Sequence, residues 1–314
     1  MINMKVSIVG TGYVGSTIAY GLAIASTVSE LVLVDVNKTR VEGEVFDINH
    51  GIPFLRPMDV RVGDFADCAD SKVVVVAAGA AQRGEGETRL DLIGRNAQIF
   101  KDIIPKITAA APEAILLIVS NPVDILTYLS FKISGLPANR VMGSGTTLDS
   151  ARFRSILSQH CKVDVRNVHG YIIGEHGDSS VAAWSLTNIA GVRIDEYCPI
   201  CEKGCKGVER EELFVQVKEA AYEIIKRKGA TNFAIAMGVR RIIESIVRDE
   251  KSVLTVSSLM EGYYGITDIA LSLPSIVGKQ GIERVLELPL RDEEVEGLRK
   301  SGEILKETCR NASI

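Results

Sequence analysis

His176 is the last of four histidines, and it lies between two glycines and two carboxylates in the run Gly174 to Asp178. Histidine exchanges a proton near neutral pH without assistance, and flanking glycines let the backbone turn tightly beside a ligand. The run alone fits an ordinary loop equally well. It gains weight because a carboxylate and several arginines suited to the same chemistry occur elsewhere in the chain. We therefore treat His176 as a candidate proton donor and acceptor.

An acid and a cation three residues apart, Asp149 and Arg152, lie in the first turns of a predicted helix. Their spacing puts them on one face, so they can converge with His176 on one site. Arg154 lies about 200° around the helix from Arg152, at roughly 100° per residue, and must point elsewhere. His169 precedes His176 by seven residues, which places the two rings on opposite faces of an extended strand. Arg154 and His169 are therefore candidates for a second site.

A glycine turn, Gly10 to Gly15, joins a strand-like segment from Met4 to Val9 to a helical pattern from Ser16 to Ala25. A second apolar run ends at Asp35, twenty residues after Gly15. This arrangement is typical of dinucleotide binding. The glycines permit a tight turn, close approach of a pyrophosphate and close packing of the helix. The start of the helix would supply free N–H groups to the phosphates.

Asp35 favours NAD over NADP, because a carboxylate accepts hydrogen bonds from both ribose hydroxyls and would repel a 2′-phosphate. Arg40 lies nearby in the sequence and keeps NADP open as the alternative. The residues that we predict to bind the cofactor are Gly10, Gly12, Tyr13, Val14, Gly15, Asp35, Arg40, Phe65, Gly79, Ala80, Val119, Asn121 and Ser144.

The elements that must position these groups alternate between strand and helix, which predicts an α/β fold with a doubly wound parallel sheet. Ligands of such sheets bind at the carboxyl ends of the strands, here the loops at 77–80 and 119–122. The polar run 81–89 contains two glycines and reads as a mobile lid or an ordinary solvated loop. Further strands are predicted at 60–62, 73–77, 115–119, 141–142, 252–258 and 269–277, a strand with a turn at 163–173, and helices at 39–49, 90–110, 211–228 and 292–310.

Composition excludes several classes of function. A chain of 314 residues is long for one core and predicts two packed lobes. The net charge of −4 gives no basic excess to hold nucleic acid. No apolar run approaches the roughly 20 residues that span a bilayer, and the first residues lack a signal-peptide layout. We expect a cytoplasmic protein with reduced thiols and no membrane or nucleic-acid partner.

The chain contains a CxxC pair, Cys198 and Cys201, followed by Cys205. Three cysteines at this spacing can contribute to a metal site. A fourth ligand is missing nearby, and the fold would have to bring in Cys161 or His160. We expect ordinary reduced thiols and no metal.

Five motifs together resemble the L-lactate/malate dehydrogenase family, and the resemblance covers essentially the whole chain. It is nearest to the bacterial L-lactate dehydrogenases that fructose 1,6-bisphosphate activates. It implies a Rossmann NAD-binding domain over residues 1–143, a mixed α/β catalytic domain over 144–314, and a homo-oligomer, usually a tetramer. The motifs are Gly10 to Gly15, Gly86 to Leu92, Ser120 to Asp124, Leu148 to Arg152 and Gly174 to Asp178.

The resemblance also implies catalytic roles. His176 would exchange a proton with the carbonyl or hydroxyl oxygen of the substrate, and Asp149 would hold its ring and stabilise the imidazolium. Arg152 would bind the substrate carboxylate through two charged hydrogen bonds. Arg89, at the end of the predicted lid, would polarise the carbonyl as the lid closes. Asn121 would hydrogen-bond the substrate near the nicotinamide.

Substrate choice is where the sequence departs from the family pattern. The family resemblance places Thr231 beside the substrate side chain. Three residues separate Gln82 from Gly86, where lactate enzymes carry two. Aligned from the left, Gln82 faces the methyl group of pyruvate; aligned from the right, Arg83 would face the second carboxylate of oxaloacetate. We favour Gln82 because Glu87 is typical of lactate enzymes, and malate dehydrogenase remains the alternative. A non-catalytic NAD-responsive module is the alternative from another class.

Arg154 and His169 match the positions at which activated bacterial enzymes hold fructose 1,6-bisphosphate across a subunit interface. Two cations suit a phosphate, so the resemblance implies activation by this sugar. The alternative is a pair of ordinary surface or interface residues.

Overall fold

The computed structural model describes residues 4–80, 89–201 and 207–314. In its first half, short strands rich in valine, leucine and isoleucine alternate with helices, as the sequence predicts. The strands are β1 Lys5–Val9, β2 Glu30–Val34, β3 Asp59–Val62, β4 Val73–Val76, β5 Ile115–Ile118 and β6 Val141–Gly143. The helices are α1 Tyr13–Ala25, α2 Lys38–Gly51, α3 Arg89–Ala110 and α4 Val123–Ser134.

These strands form a parallel sheet in the order β3-β2-β1-β4-β5-β6. The order reverses between β1 and β4, and this reversal opens a crevice at the carboxyl ends of the strands. The predicted doubly wound parallel sheet is therefore confirmed. The glycine turn after β1 and the loops after β4 and β5 all reach the same edge.

The second half adds antiparallel strands and further helices. The strands are β7 Val168–His169, β8 Ile172–Ile173, β9 Val181–Ala182, β10 Asn188–Ile189, β11 Val192–Arg193, β12 Ser252–Glu261, β13 Thr267–Gly278 and β14 Gly281–Val285. The helices are α5 Thr147–Cys161, α6 Ile194–Tyr197, α7 Gly207–Lys228, α8 Phe233–Val247 and α9 Asp292–Asn311. Ser257 of β12 pairs with Gly143 of β6, so the main sheet continues as β6-β12-β13-β14.

Alternate residues of the parallel strands enter separate cores, as the two-residue period of a strand requires. In β4, Val73 and Val75 belong to the core covered by α1, α2 and α8. Val74 and Val76 belong to the core covered by α3 and α4. Because α8 lies in the second half of the chain and packs on α1, the two halves share one of these cores.

Residues 163–173 form a turn and two short strands, in agreement with the predicted strand and turn. The Asp164 side chain accepts a hydrogen bond from the Arg166 N–H and starts a short 3-10 turn, Val165–Asn167. Only the two-residue strands β7 and β8 follow, and Gly174 then turns the chain with φ +86°. His169 and His176 therefore do not share one strand, and the opposite-face expectation does not apply.

Helix α1 begins at Tyr13, three residues before the predicted start at Ser16. The first turn of α1 therefore includes Gly15, the last glycine of the Gly10 to Gly15 run. The backbone N–H groups that we expect to be free are those of residues 12–15. Across residues 4–80, 89–201 and 207–314, no helix is both long and apolar enough to cross a membrane.

Candidate active site

The imidazole of His176 pairs with the carboxylate of Asp149. His176 Nδ1 and Asp149 Oδ2 lie 2.5 Å apart. Asp149 is in the first turn of α5, which begins at Thr147, and its side chain is 13% exposed against 26% for His176. Because this contact uses Nδ1, the other ring nitrogen, Nε2, remains available to a bound molecule.

The same carboxylate also holds Arg152. Arg152 Nη1 donates to Asp149 Oδ1 at 3.0 Å, and the arginine side chain is 12% exposed. The three-residue spacing predicted a shared helix face, and the structure confirms it. One buried carboxylate therefore orders both the imidazole and the guanidinium, each through a different oxygen.

These contacts shift both pKa values. Burial alone would raise the pKa of Asp149, but the positive charges of His176 and Arg152 outweigh it and the net pKa is lowered. Burial alone would lower the pKa of His176, but the charge and hydrogen bond of Asp149 outweigh it and raise the net pKa. Both shifts favour the ionised pair, in which the ring carries the proton.

Residues Gly174 to Asp178 form the turn that carries the candidate catalytic residue His176 (the catalytic turn), and α4 holds its backbone. The His176 N–H donates to Asp124 Oδ2 at 2.7 Å, and the Ser257 hydroxyl donates to Asp124 Oδ1 at 2.6 Å. No role was predicted for Asp124, although it ends the family motif Ser120 to Asp124. Its place in the first turn of α4 is also explained by the helix dipole.

Two other helices hold the same turn. The Glu175 N–H donates to Ser301 Oγ of α9 at 2.9 Å. Lys218 Nζ of α7 donates to the carbonyl of Asp178 at 2.9 Å. Neither Ser301 nor Lys218 was predicted, because nothing in the sequence shows which distant helix packs on the turn. The turn is thus fixed by α4, α7 and α9 together.

The paired side chains open onto a cavity of about 360 Å³. This volume lies in the range of roughly 300–1,000 Å³ that small-molecule sites occupy. The lining includes the three charged groups, the end of β5 and a wall from α7. Its residues are Leu92, Ile93, Asn121, Pro122, Asp149, Arg152, His176, Gly177, Asp178, Ser180, Val217, Lys218, Ala221, Tyr222 and Ile225.

The glycine turn after β1 forms a different kind of site. A Cβ on Gly15 would lie 1.9 Å from the carbonyl oxygen of Gly10, whereas a Cβ on Gly12 would meet nothing within 4 Å. Gly15 is therefore needed for packing, and Gly12 leaves an open approach to the backbone. No side chain among the described residues caps α1, so its first N–H groups are available to an anion. A dinucleotide pyrophosphate fits this arrangement.

Asp35 ends β2 beside the turn. It accepts hydrogen bonds from the N–H groups of Thr11 at 2.6 Å and Asn37 at 2.9 Å. The Arg40 guanidinium lies 5.5 Å from the centre of the Tyr13 ring. Its Nε is also 3.5 Å from a Glu44 oxygen. The Asp35 carboxylate therefore lies where the ribose is expected. Arg40 lies near it and already has Glu44 as an acidic neighbour.

Asn96 of α3, which was not predicted, connects the loops after β4 and β5 (the cofactor loops) through hydrogen bonds. Its Oδ1 accepts the Ala80 N–H and its Nδ2 donates to the Asn121 carbonyl, both at 2.8 Å. Gly79 also packs against it, with a Cβ position 3.4 Å from Oδ1.

With strands about 5 Å apart, the ends of β1 and β5 lie about 10 Å apart across β4. The glycine turn and the cavity therefore flank one crevice.

The remaining predicted cofactor residues lie around this crevice or beside it. Val119 follows β5, and the N–H of Ser144, just after β6, donates to the Ile118 carbonyl at 2.8 Å. Phe65 is half-buried, with Lys106 Nζ 5.6 Å from its ring centre.

Several predicted substrate-binding residues are not among the described residues that line the cavity. Gln82, Arg83 and Glu87 lie outside the described residues, as does the side chain of Arg89. Thr231 lies between α7 and α8 and does not line the cavity. It is next to Asn232, whose Nδ2 donates to Thr17 Oγ1 of α1 at 3.0 Å.

Arg154 and His169 lie away from the catalytic cavity, as expected for a second site. Both are exposed, and Arg154 lines a separate cavity of about 500 Å³ with Gly170 and Tyr171. Within residues 4–80, 89–201 and 207–314, neither side chain makes a hydrogen bond or an ion pair. The structure thus leaves an unpaired guanidinium and an unpaired imidazole side chain near this second cavity.

Among the described residues, no group of three or more histidine, cysteine or acidic side chains could hold a metal ion. Cys198 is buried, and its Sγ lies 3.6 Å from Arg210 Nη2. Cys205 lies outside the described residues.

Comparisons with known proteins agree with the geometry. The model of the lactate/malate dehydrogenase NAD-binding domain matches residues 4–143, and the model of the α/β C-terminal domain of the same family matches 146–313. An L-lactate dehydrogenase of Thermoanaerobacter sp. (strain X514) is 56% identical over 99% of both chains. One of Acetivibrio thermocellus is also 56% identical, over 99% of this chain and 98% of its own.

Solved structures give the same result. A lactate dehydrogenase from a deep-sea metagenome library superposes with a TM-score of 0.96 and 42% identity over 100% of both chains. The minor L-lactate dehydrogenase of Enterococcus mundtii gives 0.95 and 42% over 98% of both. The chain therefore belongs to the lactate/malate dehydrogenase family, and its N-terminal half is the NAD-binding domain of that family.

Proposed function

We propose that this chain is an NAD-dependent L-lactate dehydrogenase that interconverts pyruvate and L-lactate. The observation that carries the proposal is the Asp149 carboxylate, which contacts His176 Nδ1 at 2.5 Å and Arg152 Nη1 at 3.0 Å in a cavity bordered by Asn121. L-lactate dehydrogenases 56% identical over nearly the full length support it. Residues 1–143 would bind NAD and residues 144–314 would carry the substrate chemistry.

Bound NADH would supply the hydride that adds to the carbonyl carbon of pyruvate. His176 then gives its Nε2 proton to the carbonyl oxygen, which becomes the hydroxyl of lactate. Asp149 keeps Nδ1 protonated and stabilises the imidazolium before the transfer. In the reverse direction the neutral ring takes the hydroxyl proton.

The other proposed contacts fix the substrate around this ring. Arg152 would bind the carboxylate of pyruvate with a planar pair of N–H donors that Asp149 already orients. Asn121 would hydrogen-bond the substrate beside the nicotinamide. Arg89 would polarise the carbonyl, Gln82 would face the methyl group, and Thr231 would border it.

The cofactor would lie across the crevice. The free N–H groups of Tyr13 and Val14 would face the pyrophosphate, while Asp35 would accept the ribose hydroxyls. An acidic ribose partner and the Arg40–Glu44 contact both favour NAD over NADP. Val119, Ser144 and the Gly79–Ala80 loop would border the nicotinamide half.

Oxidation of NADH, followed with pyruvate and oxaloacetate side by side, tests the proposal. We expect a higher kcat/KM with pyruvate, because a neutral Gln82 suits a methyl group. A higher value with oxaloacetate would favour Arg83 at that position and a malate dehydrogenase. Binding of NADH without turnover of either acid would point to an NAD-responsive module.

We also propose a homotetramer that fructose 1,6-bisphosphate activates at Arg154 and His169. The exposed arginine and histidine side chains have no partner in the described ranges and lie beside a 500 Å³ cavity, which supports an anion site there. The sugar should lower the KM for pyruvate in the wild-type protein. It should have no effect on an Arg154→Gln variant. A pyruvate saturation curve that the sugar leaves unchanged at several pH values would contradict activation.

A further inference from the structure

Asp124 is a buried carboxylate with two partners that belong to different parts of the fold. It is 2% exposed, its Oδ2 accepts the His176 N–H at 2.7 Å, and its Oδ1 accepts the Ser257 hydroxyl at 2.6 Å. It therefore connects α4 to the catalytic turn and to β12. The hydrogen bonds join residues 52 and 133 positions apart in sequence.

Helix stability alone does not account for this acid. An acid in the first turn of α4 interacts favourably with the helix dipole, but this effect needs no burial. An asparagine could accept the same N–H without the cost of placing a charge away from water. The choice of a carboxylate beside the catalytic ring indicates a use for its charge.

We propose that Asp124 is a positioning residue for proton transfer, which fixes the peptide of His176 and adds a second negative charge that stabilises the protonated ring. This inference rests on the proposed dehydrogenase function. Asp149 acts on the ring directly, whereas Asp124 acts through the backbone and through space. Among the described residues, the other charged groups around the turn include Arg152, Glu175, Asp178 and Lys218.

The electrostatics give this role a pH dependence. Burial raises the pKa of Asp124 to about 6, although its hydrogen bonds with Ser257 and with the His176 N–H oppose the rise. Above that pH Asp124 is ionised, and its charge raises the pKa of His176 together with the larger effect of Asp149. Below it, Asp124 takes up a proton and the support is lost.

An Asp124→Asn variant removes the charge and keeps an oxygen that accepts the His176 N–H. For pyruvate reduction, its kcat/KM should match wild type below pH 6, where wild-type Asp124 is itself protonated. At higher pH it should fall about 3- to 10-fold below wild type, because the midpoint of His176 moves down by about 0.5–1 pH unit. A loss that is equal at every pH, with an unchanged midpoint, would reduce Asp124 to a structural residue.

A Ser257→Ala variant provides an independent check if Asp124→Asn folds poorly. It removes a hydrogen bond that lowers the pKa of Asp124, so the support for His176 should be lost at a higher pH than in wild type. Asp102→Asn is the matched control. Asp102 is an exposed acid of α3 that pairs with Lys106 at 2.8 Å, and its loss should leave the profile unchanged.

Titration of the imidazole by NMR separates this inference from the proposed function. Only four histidines contribute signals, and a His176→Asn variant identifies the relevant one. The His176 midpoint should fall in Asp124→Asn and stay in Asp102→Asn, whether or not pyruvate is turned over. An unchanged midpoint in Asp124→Asn would overturn the inference. Failure of the wild-type protein to reduce pyruvate would overturn the proposed function alone.

Discussion

The substrate end and the cofactor end of the crevice differ in the groups that they present to a ligand: side chains at one end and backbone at the other. At the substrate end, charged side chains are buried and paired, with Asp149 between His176 and Arg152. At the cofactor end, the start of α1 has no side-chain cap among the described residues, so it offers backbone N–H groups to a ligand. Gly12 leaves open space there, because it carries no side chain. Both ends lie at the carboxyl edge of one parallel sheet.

This difference determines what each end tolerates. Coupled charges are sensitive to a change of charge even when the shape is kept, since loss of one partner leaves the others desolvated and unpaired. A backbone site is sensitive to added volume even when the charge is kept. Substitutions that alter only charge or only volume therefore distinguish the two ends.

The largest effect is expected from His176→Asn at the substrate end. Loss of a general acid typically costs on the order of 10²–10⁴-fold in rate, so kcat for pyruvate should fall by about that factor. The Kd for NADH, measured by fluorescence titration, should change less than about twofold, because the ring is not part of the backbone site. Equal activity in the variant would require another proton donor.

Arg152→Lys keeps the charge and removes the planar pair of donors. Charged hydrogen bonds contribute about 1.5–3 kcal/mol each, so kcat/KM for pyruvate should fall about 10- to 100-fold. The loss should appear mainly in KM, and NADH binding should persist. Wild-type steady-state kinetics in this variant would show that another cation holds the substrate carboxylate.

The paired variants Gly12→Ala and Gly15→Ala test the cofactor end by volume alone. A Cβ on Gly15 would collide with the Gly10 carbonyl oxygen at 1.9 Å, so this variant should lower Tm and abolish NADH binding. A Cβ on Gly12 has open space, so Tm should stay while the Kd for NADH rises about tenfold. Tight NADH binding by Gly12→Ala would place the pyrophosphate elsewhere.

Asp35→Ser should have the smallest effect. It removes the carboxylate that would accept both ribose hydroxyls but leaves a hydroxyl that can accept one of them, so NADH should bind about fivefold more weakly, since one hydrogen bond contributes about 1 kcal/mol. NADPH should bind better than it does to wild type, because a repulsive charge is gone. The ratio of the two Kd values is the measurement, and an unchanged ratio would exclude Asp35 from cofactor selection.

The sequence predicted the parts of this site that depend on local spacing. The glycine turn, the acid at the end of β2, and the shared face of Asp149 and Arg152 all follow from periodicity along one or two elements. The parallel sheet followed from the alternation of strands and helices. Most element positions were accurate for the same reason.

Apart from the convergence of His176 with Asp149, the sequence did not predict contacts between distant elements. Asp124, Asn96 and Lys218 hold the catalytic turn or the cofactor loops through partners that only the tertiary fold brings near. Within the predicted strand and turn at 163–173, the place of the turn was not predicted either, because a local hydrogen bond of Asp164 starts it. These features depend on side-chain hydrogen bonds that hydrophobic periodicity does not encode.

The pH dependence of catalysis in both directions tests the central claim, that the ring of His176 transfers the proton and Asp149 sets its charge. Since the pKa of His176 is raised above its ordinary value of 6.5, kcat/KM for pyruvate should stay level at low pH and fall as pH rises through that higher value. For lactate, kcat/KM should rise with pH through the midpoint of the ring in the NAD⁺ complex, because oxidation needs the neutral ring. In Asp149→Asn both midpoints should move to lower pH. Midpoints that do not move when Asp149 is lost, or pH dependences of the same sign in the two directions, would contradict the account.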